Sequence, residues 1–521
     1  MDRTNIDKIM NNSISENAIS MLNILNDSGF ESFVVGGCVR DALLGLTPKD
    51  EDITTNAKPE EVIKLFEDLG YNVVPTGLQH GTVTVMVGKE GFEITTYRSD
   101  GDYSDGRHPD SVIFESDITK DLERRDLTIN AFAWSPRDGF IDKFNGLDDL
   151  ENGRIRAVGD ANKRIEEDAL RMMRAIRFSA KYGYEIEDSL YEAIVSHSSD
   201  ISKVSNERIR DEICKTLMTD NPIYFKKFYD TGLLEHISPE ISEMFECPQN
   251  SKYHIYDVGN HTMKALEDSP KDLNLRMAII LHDVGKPSVK TTDENGFDHF
   301  INHPEASFYI SKNILQNLRF PADEVKDISN IVRYHDIFNN TSTNKVHKHL
   351  RDFIIENPEL DDTFYKNFIT IKRLDLKAHN TEMSSFNSRM MVIDKMEEEL
   401  NKILSGPHKF KDLALNGNDI MEIKTIKNDK EFSCKGAAIK EMQKLLLREA
   451  IDNPEVNNKE NLSILCKRNI LQSNLNVSIS KDKKLSLENS FLQIVDKVDE
   501  YYENKQKSLN ENQKIQQIEL G

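Results

Sequence analysis

The chain is predicted to be α+β, with a mixed α/β region at the N-terminus and an all-helical remainder. Three observations predict this. Alternating segments rich in β-branched residues, GTVTVMV at 81–87 and FEITTYR at 92–98, lie in the first hundred residues. From about residue 161 strand signals give way to helical spacing, beginning with KRIEEDALRMMRAIRFSAKYG. A length of 521 residues, at roughly 150 residues per domain, predicts three or four domains.

The elements follow in order. Residues 1–28 read as a helix, with Ile14, Ile19, Met21, Leu22 and Leu25 at helical spacing. ESFVVGG reads as a strand and CVRDALLG as a helix or tight turn. PEEVIKLFEDLG is a short amphipathic helix opened by Pro59. The mixed region, 29–160, ends after ERRDLTINAFAWS and the turn-rich FIDKFNGLDDLENGRIR. A helical segment covers 161–248, and CPQNSKYH reads as a linker into a histidine-rich helical domain at 249–385. A further helical block spans 386–470. The tail, 471–521, is rich in Lys, Asn, Gln and Glu, carries one apolar helix (NSFLQIVDKVDEYYE) and reads as loosely held or partner-dependent. No internal repeat is found.

Composition removes several function classes. No run of about 18 apolar residues exists, so no transmembrane helix is expected and no membrane partner. The N-terminus lacks a signal-peptide core, so a cytoplasmic protein is expected. Cys38, Cys214, Cys247, Cys434 and Cys466 are dispersed without a CxxC pair, which argues against a disulfide framework or a zinc ribbon. The 67 Lys+Arg against 89 Asp+Glu give a formal charge of −22. By itself this speaks against a nucleic-acid partner, but the sum hides local structure. Residues 163–181 hold six Lys+Arg against three Asp+Glu.

The segment FVVGGCVRDALLGLTPKDEDITT carries the most chemistry. Gly36 and Gly37 after a strand would let backbone approach a phosphate without an intervening Cβ. Arg40 could place a guanidinium on the same anion. Asp50 and Asp52 alternate with Glu51, so on a strand both project to one face. Adjacent carboxylates repel unless a divalent cation lies between them, and Mg²⁺ favours hard oxygen ligands with substrate phosphates. These parts suit metal-assisted phosphoryl or nucleotidyl transfer.

GGCVRDALLG, KDEDITT, RRDLTINAFAW and EEDALRMMRAIRF, in this order, resemble class II tRNA nucleotidyltransferases, the CCA-adding enzymes of the polymerase-beta-like superfamily. TTYRSDGDYSDGRHPDSVIF resembles the family's flexible loop. The resemblance runs over about 30–245 and implies a nucleotidyltransferase head at 29–160, followed by a helical neck at 161–248. It further implies template-independent addition of CCA to tRNA from CTP and ATP. Asp50 and Asp52 would hold Mg²⁺, with Glu93 as a candidate third carboxylate. Gly37 and Arg40 would cradle the triphosphate, and Arg125 would reach sugar or phosphate. Asp168 and Arg171, i and i+3 on a helix and so facing one way, would read the base. An acceptor beside a donor suits C and A, whereas G and U present their groups in the wrong order. Arg174 and Arg177 continue the row towards the triphosphate. Poly(A) polymerase of the same superfamily is the alternative, and an HD-type phosphohydrolase with an inactive polymerase domain is a second.

In the middle domain, His261, His282–Asp283 after the apolar MAIIL, and Asp375 resemble the H…HD…D signature of HD-domain phosphohydrolases. Two imidazoles and two carboxylates suit Mn, Ni, Fe or Mg that activates water. His303 and His335 are candidates for a second ion or a phosphate contact. A packing and RNA-scaffold role for this domain is the competing expectation. The block 386–470 resembles the family's C-terminal helical segment, which would contact tRNA.

Overall fold

The computed structural model describes residues 3–101, 111–427 and 430–472. The chain forms two compact units, Met1–Pro239 and Glu240–Gly521.

The first unit is built on a seven-stranded sheet. Its strands are β1 (Ser32–Val35), β2 (Ile53–Thr55), β3 (Asn72–Gly77), β4 (Thr82–Val87) and β5 (Glu90–Thr96). After a separate ribbon of β6 (Arg98–Asp100) and β7 (Val112–Phe114) come β8 (Phe132–Ser135) and β9 (Gly139–Asp142). The order across the sheet is β3-β4-β5-β2-β1-β8-β9. Only β2 and β5 run parallel, with Ile53 opposite Ile94 and Thr55 opposite Thr96. β1 pairs antiparallel with both neighbours, Val34 lying opposite Ile53 and Trp134. The central strands carry apolar residues on both faces, as a sheet covered on both sides requires. Phe33, Val35, Tyr97, Leu122, Ala131 and Ala133 pack together in one core cluster. Trp134 is buried and donates from Nε1 to Asp7 Oδ1 at 2.9 Å.

Several expectations are corrected here. The expected helix over 1–28 is two helices, Arg3–Ser13 and Glu16–Asp27. The break follows from Ser15, whose extended backbone and hydroxyl cap the second helix at Ala18 N. Strand β2 begins at Ile53, so Asp50 and Asp52 lie on the segment entering it rather than on the strand. Strand signals also continue past 161: residues Lys424–Lys427 and Lys430–Ser433 pair as an antiparallel hairpin inside the block expected to be helical.

Beyond the sheet the first unit is mainly helical, and two helices separated by Asp168 and Ala169 matter for the site: Ala161–Glu167 and Leu170–Tyr182. Helix Asn206–Leu217 packs on the second of them. The second unit is mainly helical, with His282, His303 and His335 at helix ends and His261 within helix Val258–Glu267. Helix Leu273–Leu281 is buried on nearly all sides, as its apolar sequence requires. Gly285 follows it because no side chain fits there. A Cβ at that position would meet Ser307 N at 2.4 Å, and Gly285 N donates to Ser307 Oγ at 2.9 Å. Most of the expected flexible loop (102–110) and the polar tail from 473 onward lie outside the described residues. Among the described residues no helix is long and apolar enough to cross a membrane.

Candidate active sites

The first site is at the end of β1. Gly36 adopts φ 75° and ψ −122°, a conformation open to glycine, and its N–H donates to Phe132 O at 3.0 Å. A Cβ on Gly36 would stand 2.6 Å from Nη1 of Arg125. The missing side chain is thus what brings Arg125 against the strand end. Helix Gly37–Leu43 starts here and carries Arg40 on its first turns.

Val35 N donates to Asp52 O at 3.0 Å, which sets the 50–52 segment beside that strand end. Glu51 turns away: its carboxylate accepts from Ser15 N at 2.8 Å and from the Ser15 hydroxyl. Desolvation raises the Asp52 carboxyl above its ordinary range; Glu93 and Asp50 add to the rise and Arg125 opposes it. Asp52 thus feels the charges of both Glu93 and Asp50. A divalent cation would relieve that repulsion, and carboxylate oxygens are the ligand type such a cation takes, so the chemistry of these residues fits a metal although their oxygens do not converge as those of the second site do. The register explains Glu93: Ile53 lies opposite Ile94, one residue along β5.

The arginines expected at the triphosphate are held by partners within the chain. Arg40 is buried, donates to Asp41 Oδ1 from Nε at 2.9 Å and Nη2 at 2.7 Å, and donates to Asn130 Oδ1. Its guanidinium carbon lies 5.1 Å from the Phe178 ring centroid and 5.3 Å from that of Tyr182. Arg177 stacks on the same Phe178 ring at 4.2 Å and pairs with Glu212. Arg174 pairs with Asp126, Nε at 2.7 Å and Nη2 at 2.6 Å. Arg125 reaches Asp121 at 3.5 Å and Asn130 O at 3.4 Å. An arginine and aromatic wall thus joins helix Gly37–Leu43 to helix Leu170–Tyr182.

Asp126 is the centre of that joint. Its Oδ1 accepts from Leu127 N at 2.8 Å and Asn130 Nδ2 at 3.0 Å, while Oδ2 takes both Arg174 bonds. Burial works against its charge, yet Arg174, Asn130 and Arg171 hold its pKa well below the usual carboxylate range. Asn130 in turn links it to Arg40.

The premise that Asp168 and Arg171 share a helical face is corrected. Asp168 is extended, φ −150° and ψ 104°, at the break between two helices, and its Oδ1 accepts from Leu170 N at 3.0 Å. Aspartate commonly interrupts helices because its side chain competes for nearby backbone N–H groups. Arg171 turns to Glu167 and to the carbonyls of Arg164 and Arg124, the last at 3.0 Å. Asp168 is held instead by Arg208, at 2.7 Å and 3.4 Å. Sequence reasoning missed Arg208 and Glu212. The available signal was their i, i+4 spacing in NERIRDEI, which puts both on one face of helix Asn206–Leu217.

The second site lies wholly in the second unit. His261 sits on helix Val258–Glu267, His282 at the end of Leu273–Leu281, His303 at the start of His303–Asn317, His335 at the end of Ala322–Tyr334, and Asp375 on Asp362–Ala378. His282 and Asp283 are each 1% exposed. Four imidazoles share one arrangement: Nδ1 faces a backbone carbonyl, Ile279 O for His282 (2.7 Å), Val332 O for His335 (2.6 Å), Phe300 O for His303 (2.9 Å) and Ala378 O for His261 (3.3 Å). A carbonyl only accepts, so Nδ1 carries the proton and Nε2 is presented inward.

Those Nε2 atoms converge on carboxylates. His261 Nε2 is 2.9 Å from Asp375 Oδ1 and 4.0 Å from Asp283 Oδ2, and His282 Nε2 is 3.2 Å from Asp283 Oδ2. On the other edge of Asp283, Oδ1 is 3.3 Å from His303 Nε2 and 3.7 Å from His335 Nε2. Metal-ligand groupings form on both edges: His261, His282 and Asp375 on one, Asp283, His303 and His335 on the other. His282 Nε2 and both Asp283 oxygens are buried without a hydrogen bond of good geometry. Buried polar atoms left this way call for a missing partner. Burial opposes a charge on His282, but Asp283 and Asp375 push its pKa up to about 10. Asp283 is correspondingly held well below the usual range against its own desolvation, by His282 and Lys286. The pocket is arranged to hold positive charge, and the donor set fits a divalent cation. His254 and His379 lie beside His261 and were not singled out from the sequence; burial drives them down to about 2 and about 4.

The first unit thus carries carboxylates and arginines at the end of a mixed sheet, and the second unit carries a centre of histidines and aspartates. Residues 32–156 match the poly A polymerase head domain, residues 183–245 the probable RNA- and SrmB-binding site of polymerase A, and residues 252–383 the HD domain. Both domain families imply dependence on a divalent metal. The CCA-adding enzyme of Lactobacillus helveticus is 46% identical over 221 residues, 42% of this chain and 54% of that protein. That of Leuconostoc mesenteroides is 50% identical over 198 residues, 38% of this chain and 48% of that protein. The chain thus spans about half the length of the curated relatives it matches. Among solved structures, the Bacillus stearothermophilus CCA-adding enzyme in complex with CTP aligns with a TM-score of 0.58 at 24% identity, covering 87% of this chain and 96% of that one. The Thermotoga maritima CCA-adding enzyme complexed with tRNA_CCA aligns at 0.52 and 18%, covering 88% and 97%. These two alignments establish a shared fold.

Proposed function

We propose that this protein is a cytoplasmic tRNA nucleotidyltransferase that builds or repairs the 3′-terminal CCA of tRNA from CTP and ATP with Mg²⁺. The observation that carries the reading is the Arg40–Asn130–Asp126–Arg174 chain of contacts, which ties the end of β1 to the helix that follows Asp168. The chain is 46% and 50% identical to two CCA-adding enzymes over 221 and 198 residues, and the head-domain match at 32–156 includes Arg40, Asp126 and Asn130.

Asp50 and Asp52, with Glu93 beside them, would hold the cation, whose chemistry is to neutralise phosphate charge and acidify the RNA 3′-hydroxyl. The residues of the chain do the rest. Gly36 and Gly37 leave room for the triphosphate at the strand end, with Arg125 against it. The 3′-oxygen bonds to the nucleotide α-phosphorus as the bond to the pyrophosphate oxygen breaks. Asp168, fixed by Arg208, accepts from the exocyclic amino group of C or A. Arg171 supplies the donor by leaving Glu167 for the base. Arg174 and Arg177, backed by Phe178, place positive charge on the side of the bound nucleotide.

The test incubates purified protein with tRNA ending at the discriminator base, with each nucleotide singly and together. Addition of CC from CTP alone, then one A once ATP is present, supports the reading. Long untemplated A tails would instead identify a poly(A) polymerase.

A second activity is favoured by the four Nδ1-anchored imidazoles around Asp283: metal-dependent hydrolysis of phosphate esters by the HD centre. Release of inorganic phosphate that survives Asp52→Asn but not His282→Ala tests it.

A further inference from the structure

The segment that carries Asp50 and Asp52 lies between helix Gly37–Leu43 and β2, outside any regular element. Carboxylates that ligate a cation must be held within about 0.5 Å of their working positions, so a loop of this kind needs to be fixed from outside. Two tethers fix it. At its end, Val35 N donates to Asp52 O at 3.0 Å. Between the two aspartates, the Glu51 carboxylate takes both donors of Ser15, the N–H on Oε1 at 2.8 Å and the hydroxyl on Oε2.

Ser15 is a firm post for that second tether. It stands between helices Arg3–Ser13 and Glu16–Asp27, and its Oγ accepts from Ala18 N at 3.1 Å. The second helix is docked through buried Ala18, Met21, Leu22 and Leu25, and Leu22 O accepts from Ser32 Oγ of β1 at 3.1 Å. The first helix is held by Asp7, which accepts from Trp134 Nε1. Both tethers of the loop therefore lead to β1, one directly at Val35 and one through the helix that β1 holds at Ser32. A carboxylate accepting two hydrogen bonds at a helix N-terminus makes a strong contact. The charges that raise the Asp52 carboxyl are those of Glu93 and Asp50, whereas Glu51 is engaged by Ser15.

Resting on the nucleotidyl-transfer reading of this site, we propose that Glu51 is a positioning residue. Clamped to Ser15, it fixes the loop so that Asp50 and Asp52 present their oxygens to the divalent cation, and it does not itself ligate that cation.

The test uses the full chain and two readouts. One is CCA addition measured against Mg²⁺ and against CTP. The other is backbone cutting by Fe²⁺ with ascorbate and peroxide, in which mass spectrometry separates cuts near residues 50–52 from cuts at the histidine-rich centre. Glu51→Ala is expected to raise the Mg²⁺ needed for half-maximal addition, and the Fe²⁺ needed for half-maximal cutting near 50–52, about tenfold or more. The KM for CTP at saturating Mg²⁺ stays at the wild-type value, as does cutting at the second centre. Ser15→Ala keeps the backbone donor and gives a smaller shift in the same direction; it carries the test if Glu51→Ala does not fold. Ser15→Thr and Glu51→Gln, which preserve the bonding pattern, stay near wild type. Equal losses in Glu51→Ala and Glu51→Gln would make the charge the operative feature and overturn the positioning role. Unchanged metal dependence in Glu51→Ala would overturn it too, while leaving the CCA reading intact. If tRNA is not extended at all yet Glu51→Ala weakens cutting near 50–52, the CCA reading fails and the clamp stands. Absence of cutting near 50–52 in the wild type refutes the metal assignment and the proposal together.

Discussion

Replacing Asp126 by Asn keeps the shape of the side chain and removes its charge. Oδ1 can still accept from Leu127 N and Asn130 Nδ2, but the amide nitrogen now faces Arg174 and both bonds to that guanidinium are lost. Hydrogen bonds to charged groups contribute about 1.5–3 kcal/mol each, and breaking a buried pair costs about 3–5 kcal/mol. Arg174 is 34% exposed, so water recovers part of its solvation and the lower end applies. A loss of about 3 kcal/mol at pH 7 follows. The only tryptophan in the chain, Trp134, is buried in the same unit, so its fluorescence during urea unfolding reads that unit. The pH dependence has a definite sign. The folded pKa of Asp126 is depressed, so its contribution is fully present above the ordinary value of 3.8 and is lost as pH falls towards the folded value. The difference between wild type and Asp126→Asn should therefore be flat from pH 7 to about 4 and narrow below. The KM for nucleotide should rise in parallel, because Arg174 loses its anchor. A loss under about 0.5 kcal/mol at pH 7, the size of an ordinary surface substitution, would refute the assigned role of this contact.

Three further outcomes are expected. Gly36→Ala puts a Cβ 2.6 Å from Arg125 Nη1 in a backbone region hostile to L-residues, costing about 1–3 kcal/mol and raising nucleotide KM; unchanged unfolding and KM would exclude the close approach. Asp52→Asn should raise the thermal midpoint of the first unit at pH 7 while lowering nucleotide addition at least about a hundredfold. The sign follows from a folded pKa that is raised, so ionised Asp52 is a destabilising charge above it; a lowered midpoint would contradict the carboxylate grouping. His282→Ala should abolish Mn²⁺ binding at Asp283 in a metal titration while leaving CCA addition at the wild-type rate, and retained stoichiometry would remove His282 from the ligand set.

How much was legible varied with the range of the forces involved. β1 and the Gly-Gly turn, β4, β5 and the helix opened by Pro59 were readable because alternation, glycine and proline act over a few residues. β3 was not, since it carries Pro75 and an exposed face and exists through its pairing with β4. The split at Ser15 was overridden by a longer apolar periodicity, although a serine cap was visible in principle. The hairpin at 424–433 was hidden by its lysines. In the site, residue types were legible and partners were not. Arg174 and Asp126 are 48 residues apart, and Asp168 and Arg208 are 40 apart.

The sequence by itself determined the α+β class, the order of the motifs and the chemical types at each site, because these depend on local spacing and on what each side chain can donate, accept or ligate. Only the tertiary structure decided which charges are paired. It placed Asp168 in a helix break under Arg208 instead of on a face shared with Arg171, and it gathered four histidines and Asp375 from five helices so that the four imidazoles present Nε2 inward. The reason is physical: a buried charge takes whichever partner the packing brings within hydrogen-bonding distance, and packing joins segments that the chain keeps far apart.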